Sequence, residues 1–123
     1  MPNTKAVGVA YADPQFDSLY LSVSTVAATG STQATAAAVG TGFTFVTGAD
    51  ATKGVVLPPA AAGLFLVIKN DDAANAVLKV YPAVGDGINA VAVNSSYDMA
   101  AKTSVILVAY DSTTWYTVPL LAS

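Results

Sequence analysis

The sequence predicts an all-β domain, an antiparallel β-sandwich, and three observations carry the prediction. Short apolar runs recur at roughly the 8–12-residue spacing of sandwiches and barrels. From Val55 to Val118 those runs are cut by Pro, Gly, Asn and Asp, the residues that turn a chain. No stretch of useful length holds the 3.6-residue apolar period of a helix. The sandwich is expected to be jelly-roll-like; a small β-barrel or a β-tulip is the alternative.

Residues 1–17 read as an extended N-terminal arm, interrupted by Pro2, Gly8 and Pro14, in which only Ala6 to Ala12 has the makings of a strand. Residues 18–123 form the sandwich domain. Leu19 to Ser24 alternates, which predicts a half-buried strand with Leu19, Leu21 and Val23 inward. Ala34 to Val39 has the alanine content of a helix, but six residues between Thr, Ser and Gly breakers are too few for one. A strand or an extended loop is expected there. Phe43 to Val46 follows as a strand with Phe43 and Phe45 inward. Further strands are expected near Val55–Leu57, Leu64–Lys69, Ala76–Tyr81, Ile88–Val93, Tyr97–Ala100, Ser104–Tyr110 and Trp115–Val118.

The turns between them have local causes. Pro58-Pro59 cannot donate to a sheet ladder. Asn70-Asp71-Asp72 and Asp86-Gly87 supply side-chain caps and positive-φ positions. Asp111-Ser112-Thr113 closes a hairpin between the last two strands. No solenoid or propeller period is visible; the one echo, Val9-Ala10-Tyr11 against Val108-Ala109-Tyr110, is within chance.

The 123-residue chain contains no Cys, His, Arg or Glu. Disulfides, Cys/His zinc sites, thiolate nucleophiles and imidazole bases are therefore unavailable, and an enzyme is not expected. No catalytic, metal or cofactor residues are assigned. Lys102 near Ser104 has no catalytic motif around it, and Gly40-Thr41-Gly42 has no following helix or lysine to make a phosphate loop. The acidic turn at Asn70-Asp71-Asp72, even with Asn75 and Asp86 nearby, lacks calcium-loop spacing and a bidentate glutamate, so it reads as turn chemistry. The five lysines are scattered and the formal charge is −3, which argues against nucleic acid as a partner. The longest apolar run, Val55 to Ile68, is broken by Pro58, Pro59 and Gly63 and too short to span a membrane. The first residues lack the apolar core of a signal peptide, and Asn94-Ser95-Ser96 reads as a polar turn rather than a glycosylation site.

The charge density points to a covered surface. A monomer of this mass exposes about 6,100 Å², so thirteen charged side chains amount to roughly one per 470 Å². Two strands sharpen the point. Leu64 to Ile68 and Val105 to Val108 are apolar on both faces, whereas a strand with one wet face alternates. Either they are central strands covered on both sides, or their outer face meets another subunit. On the second reading the partner-interface candidates are Val7, Val9 and Tyr11 in the arm, with Phe65, Val67, Ile106, Val108 and Tyr116 in the domain. Trp115 and Tyr116 point to opposite faces of one strand, so Trp115 is expected in the core and Tyr116 at an edge or interface.

One resemblance covers most of the chain. The order Val56-Leu57-Pro58-Pro59-Ala60-Ala61-Ala62-Gly63, Lys69-Asn70, Val80-Tyr81-Pro82, Gly85-Asp86-Gly87-Ile88-Asn89 and Trp115-Tyr116, with Gly30 to Thr35 upstream, resembles a module of tailed-bacteriophage structural proteins. It is similar to capsid decoration (cement) proteins, and the module also appears in tail and fibre proteins. The resemblance implies a β-rich homotrimer on the outer surface of the phage head. The subunit would be made in the bacterial host cytoplasm, bind the major capsid protein and carry no catalytic residues. The alternative it leaves open is a head- or tail-fibre module that grips host glycan through Trp and Tyr.

Overall fold

The computed structural model describes residues 17–71 and 75–118, and within them it is all β, with no helix. Ten strands form two sheets. The larger holds β1 (Val23–Ala27), β3 (Gly42–Thr47), β5 (Phe65–Asn70), β9 (Ser104–Ala109), β10 (Thr114–Val118) and β7 (Gly87–Ile88), adjacent in that order. The smaller holds β2 (Ala37–Ala38), β4 (Gly54–Val56), β6 (Leu78–Tyr81) and β8 (Tyr97–Met99).

The sheets are mixed, and this corrects the expectation of antiparallel pairing throughout. From β1 to β6 the chain alternates between the sheets, and each return lays a parallel strand beside the last: β1 on β3 on β5, and β2 on β4 on β6. Only then does it reverse, setting β8 antiparallel to β6 and β9 antiparallel to β5, with β10 closing a hairpin on β9. The first half thus winds like a solenoid although no repeat shows in the sequence. Val23, Phe43 and Val67 stand side by side at unequal spacings of 20 and 24 positions. Ala37, Val55 and Val80 do the same at 18 and 25. Unequal turns filled by unlike residues leave no period to detect.

The core lies between the inward faces. Leu66, Ile68, Leu107, Ile88 and Trp115 come from the larger sheet, and Val55, Leu78, Val80 and Met99 from the smaller, all essentially sealed from solvent. Trp115 is the largest of them, and its Nε1 donates to the Pro58 carbonyl at 3.3 Å. That bond satisfies the one polar atom of the indole inside the core. Asn70, fully buried at the end of β5, is held by three carbonyls: its Nδ2 donates to Ala76, Met99 and Ala100 at 3.0, 3.2 and 3.3 Å. One side chain thereby ties the larger sheet to the end of β8 and the approach to β6.

Two predicted strands shift. The strand expected over Leu19 to Ser24 runs instead from Val23 to Ala27, and Leu19 and Val23 are exposed rather than inward. It is a sheet edge whose inward positions, Ser24 and Val26, are fixed by their neighbours Thr44 and Val46. The strand expected over Ile88 to Val93 stops after Ile88. Asn89 adopts φ 52°, and its side chain replaces the backbone ladder: Nδ2 donates to Thr117 Oγ1, and Thr117 N–H donates to Asn89 Oδ1, both at 3.0 Å.

Candidate functional site

The site is built by strand parity on the larger sheet. Leu66, Ile68 and Asn70 of β5 face the core, so Phe65, Val67 and Lys69 face out. Register carries that choice to both neighbours. Phe65 lies beside Val108, Val67 beside Ile106 and Phe43, and Lys69 beside Phe45 and Ser104. On β10, Tyr116 flanks Val108 and Val118 flanks Ile106.

Five of the eight interface candidates are thereby brought onto one surface: Phe65, Val67, Ile106, Val108 and Tyr116. Val7, Val9 and Tyr11 lie outside the described residues. Of the two readings open for the doubly apolar strands, β5 and β9 are indeed central and adjacent, yet Phe65 and Ile106 keep 42% and 37% of their surface exposed.

The same parity overturns the expectation for β3. Thr44 and Val46 face the core, while Phe43 and Phe45 face out at 40% and 38% exposure. Pairing with β5 forces this, because Thr44 sits beside inward Ile68 and Phe43 beside outward Val67. Alternation alone named the strand but not which half of it is buried; the two phenylalanines were the missed members of the face. They floor a groove of about 330 Å³ with Val23 and Val67, closed at one end by Lys69 and Ser104. Lys69 Nζ lies 5.8 Å from the Phe45 ring centre and 3.4 Å from Asp71, so its stem covers the apolar floor while its charge is balanced at the rim. Beyond the groove, Tyr116 on β10 packs against Tyr110, ring centres 5.8 Å apart and tilted by 54°.

The other candidates fall elsewhere. Trp115 and Tyr97 are core residues; burial pushes the Tyr97 hydroxyl pKa up. Tyr81 lies on the smaller sheet, its hydroxyl donating to Ser31 O at 3.1 Å. Lys102 occupies the β8–β9 turn with φ 63°, and Ser104 opens β9 on the outer face. Asp71 and buried Asp86 are not gathered: Asp86 Oδ2 accepts from Ala60 N–H at 2.9 Å. Among the described residues, no group of three or more Asp could hold a metal ion.

Three of the stretches that carry the resemblance meet in one place, as joinery. Asp86 caps the amide of Ala60, Trp115 reaches Pro58, Asn89 N–H donates to Trp115 O at 2.8 Å, and Gly87 N–H donates to Thr113 O at 2.9 Å. The Leu-Pro-Pro run, the Gly-Asp-Gly-Ile-Asn run and the terminal Trp lock β7, β10 and the segment after β4 together. No protein-family model, curated protein or solved structure matches the chain.

Proposed function

We propose that this chain is a virion structural protein, a decoration (cement) protein that binds the outer surface of a tailed-phage head as a homotrimer and stabilises the shell. The observation that carries the reading is the outer face of the larger sheet. Phe43, Phe45, Phe65, Val67, Ile106 and Val108 form an unbroken apolar surface across three strands. Contiguous apolar surface of this kind marks a place where another protein docks. In this reading the two sheets act as the layers of a sandwich-type subunit, with one layer turned towards its neighbours. The work is adhesive: apolar burial contributes about 25 cal/mol per Å², and a closed shell repeats each small contact many times.

The fibre alternative is less well supported. It grips sugar through Trp and Tyr, and the chain's one Trp, Trp115, is 0% exposed, which leaves the stacking to tyrosines alone. The decoration reading is tested by adding the protein to expanded shells that lack it. Saturable, symmetric occupancy of the outer surface is expected, and no binding would overturn the proposal.

A further inference from the structure

Among the described residues the sheets end in four edges, and they are not alike. β2 and β7 are two residues long, and β8 is three with Asp98 at its centre. Brevity and charge are ordinary ways of keeping an edge from recruiting another strand. β1 uses neither. Val23-Ser24-Thr25-Val26-Ala27 is five residues with no charge and no proline, and among the described residues it is paired on one side only, to β3. The apolar groove of Val23, Phe43, Phe45 and Val67 runs directly beside it.

The chain itself contains a segment suited to that edge. Ala6-Val7-Gly8-Val9-Ala10-Tyr11-Ala12 alternates strictly between larger apolar residues and Ala or Gly. Added as a strand to β1, it puts Val7, Val9 and Tyr11 on the face of Val23 and Thr25, at the rim of the groove. Ala6, Gly8, Ala10 and Ala12 then fall on the face of Ser24 and Val26, where little room is needed. The seven-residue segment is long enough to pair along all five residues of β1, and residues 13–22 extended reach roughly 33–36 Å, enough to cross to a neighbour. Within that connection, Leu19 and Tyr20 are 74% and 90% exposed.

From these features we infer that the β1 edge is the receiving site for residues 6–12 of a neighbouring copy, an exchange of strands between subunits. The contact joins two different surfaces, an arm and an edge, so repeating it around an axis closes a ring of the kind a trimer requires. Main-chain bonds to β1 give the contact its strength, and the groove selects for the side chains at 7, 9 and 11. The inference rests on the homotrimer reading above and names the element that holds the trimer together.

The natural absence of cysteine makes the test clean. Thr25→Cys is combined in turn with Val7→Cys, Val9→Cys or Tyr11→Cys in the full-length chain, oxidised, and run on non-reducing gels. Disulfide-linked dimers and trimers are expected for at least one pair. A bridge formed within a single chain, or none in any pair, overturns the inference. Light scattering on full-length protein and on a variant lacking residues 1–16, checked for β structure by circular dichroism, separates the two levels. A trimer that becomes monomeric on truncation supports the exchange. A trimer that survives truncation overturns the exchange alone, and a monomeric full-length chain overturns the homotrimer reading with it.

Discussion

The outer faces of the two sheets are finished in opposite ways. On the smaller sheet, Lys79 and Asp98 sit side by side and pair at 2.9 Å, and Tyr81 and the following Pro82 are bonded to the 31–33 loop through Ser31 O and Gln33 Nε2. Polar groups there are matched to one another or to the chain's own loop. On the larger sheet the equivalent positions are mainly Phe, Val, Ile and Tyr, with Lys69 and Ser104 at one corner. The same chain completes one surface for water and leaves the other incomplete. Under the proposal above, association belongs to the larger sheet, and substitutions at adjacent residues can break or sharpen that assignment.

The largest effect is expected one residue behind the face. Leu107 is fully buried between Ile106 and Val108. Leu107→Ala should cost about 2–5 kcal/mol of stability, the usual range for emptying a packed core site, measured by urea unfolding of dilute protein. Its neighbours should behave differently. Val67→Asp combined with Ile106→Asp replaces two adjacent outward side chains. Removing two apolar anchors should weaken association by about 100-fold while the unfolding midpoint of the monomer moves little. If the double variant unfolds the monomer instead, this face belongs to the fold and not to a partner.

How much of this was legible in the sequence follows from what each signal encodes. Strand existence was visible for nearly all of the second half, because turn residues mark the ends of strands whichever way they pair. Parallel or antiparallel direction was not, because a coil and a hairpin can have the same turn spacing. The doubly apolar runs identified β5 and β9 as unusual, and five interface candidates landed on one face. Phe43 and Phe45 lie on the side opposite to the expected one, since their parity is set by register with a strand more than twenty residues away. Gly42 lies in a run that makes no phosphate loop, and the sequence carries no sign of its structural demand either. It has φ 95°, and a Cβ there would meet the Ser22 carbonyl oxygen at 2.8 Å. Close approach between distant segments leaves no local signature.

A smaller effect separates the faces from the turns that join the sheets. Between β3 and β4, Asp50 Oδ1 accepts from Thr52 Oγ1 at 2.6 Å and from the amides of Thr52 and Lys53 at 3.0 Å. The Thr52 hydroxyl, then these amides, hold its pKa down to about 2. In the β9–β10 hairpin, the amides of Thr113 and Thr114 lower that of Asp111. Both groups bind protons more weakly in the folded chain than in the unfolded one. Their contribution is therefore present above the unfolded carboxylate range and lost as pH falls from about 4 towards 2. Urea midpoints across that window should fall less steeply for Asp50→Asn than for the wild-type chain. An unchanged acid slope would place the acid sensitivity elsewhere.

The smallest effect is expected where the polar face looks most complete. Lys79 and Asp98 are paired across β6 and β8, but Asp98 keeps over half of its side chain in solvent. Exposed pairs of this kind contribute about 0.2–1 kcal/mol and are screened by salt. A double-mutant cycle with Lys79→Ala and Asp98→Ala should give a coupling within that range that shrinks in high salt, and neither variant should change the mass of the assembly. Because the pair is already satisfied within one chain, removing it exposes nothing that a partner was covering. A change in oligomeric state from either substitution would show that the smaller sheet also faces a neighbour, and the contrast between the two faces would no longer locate the interface.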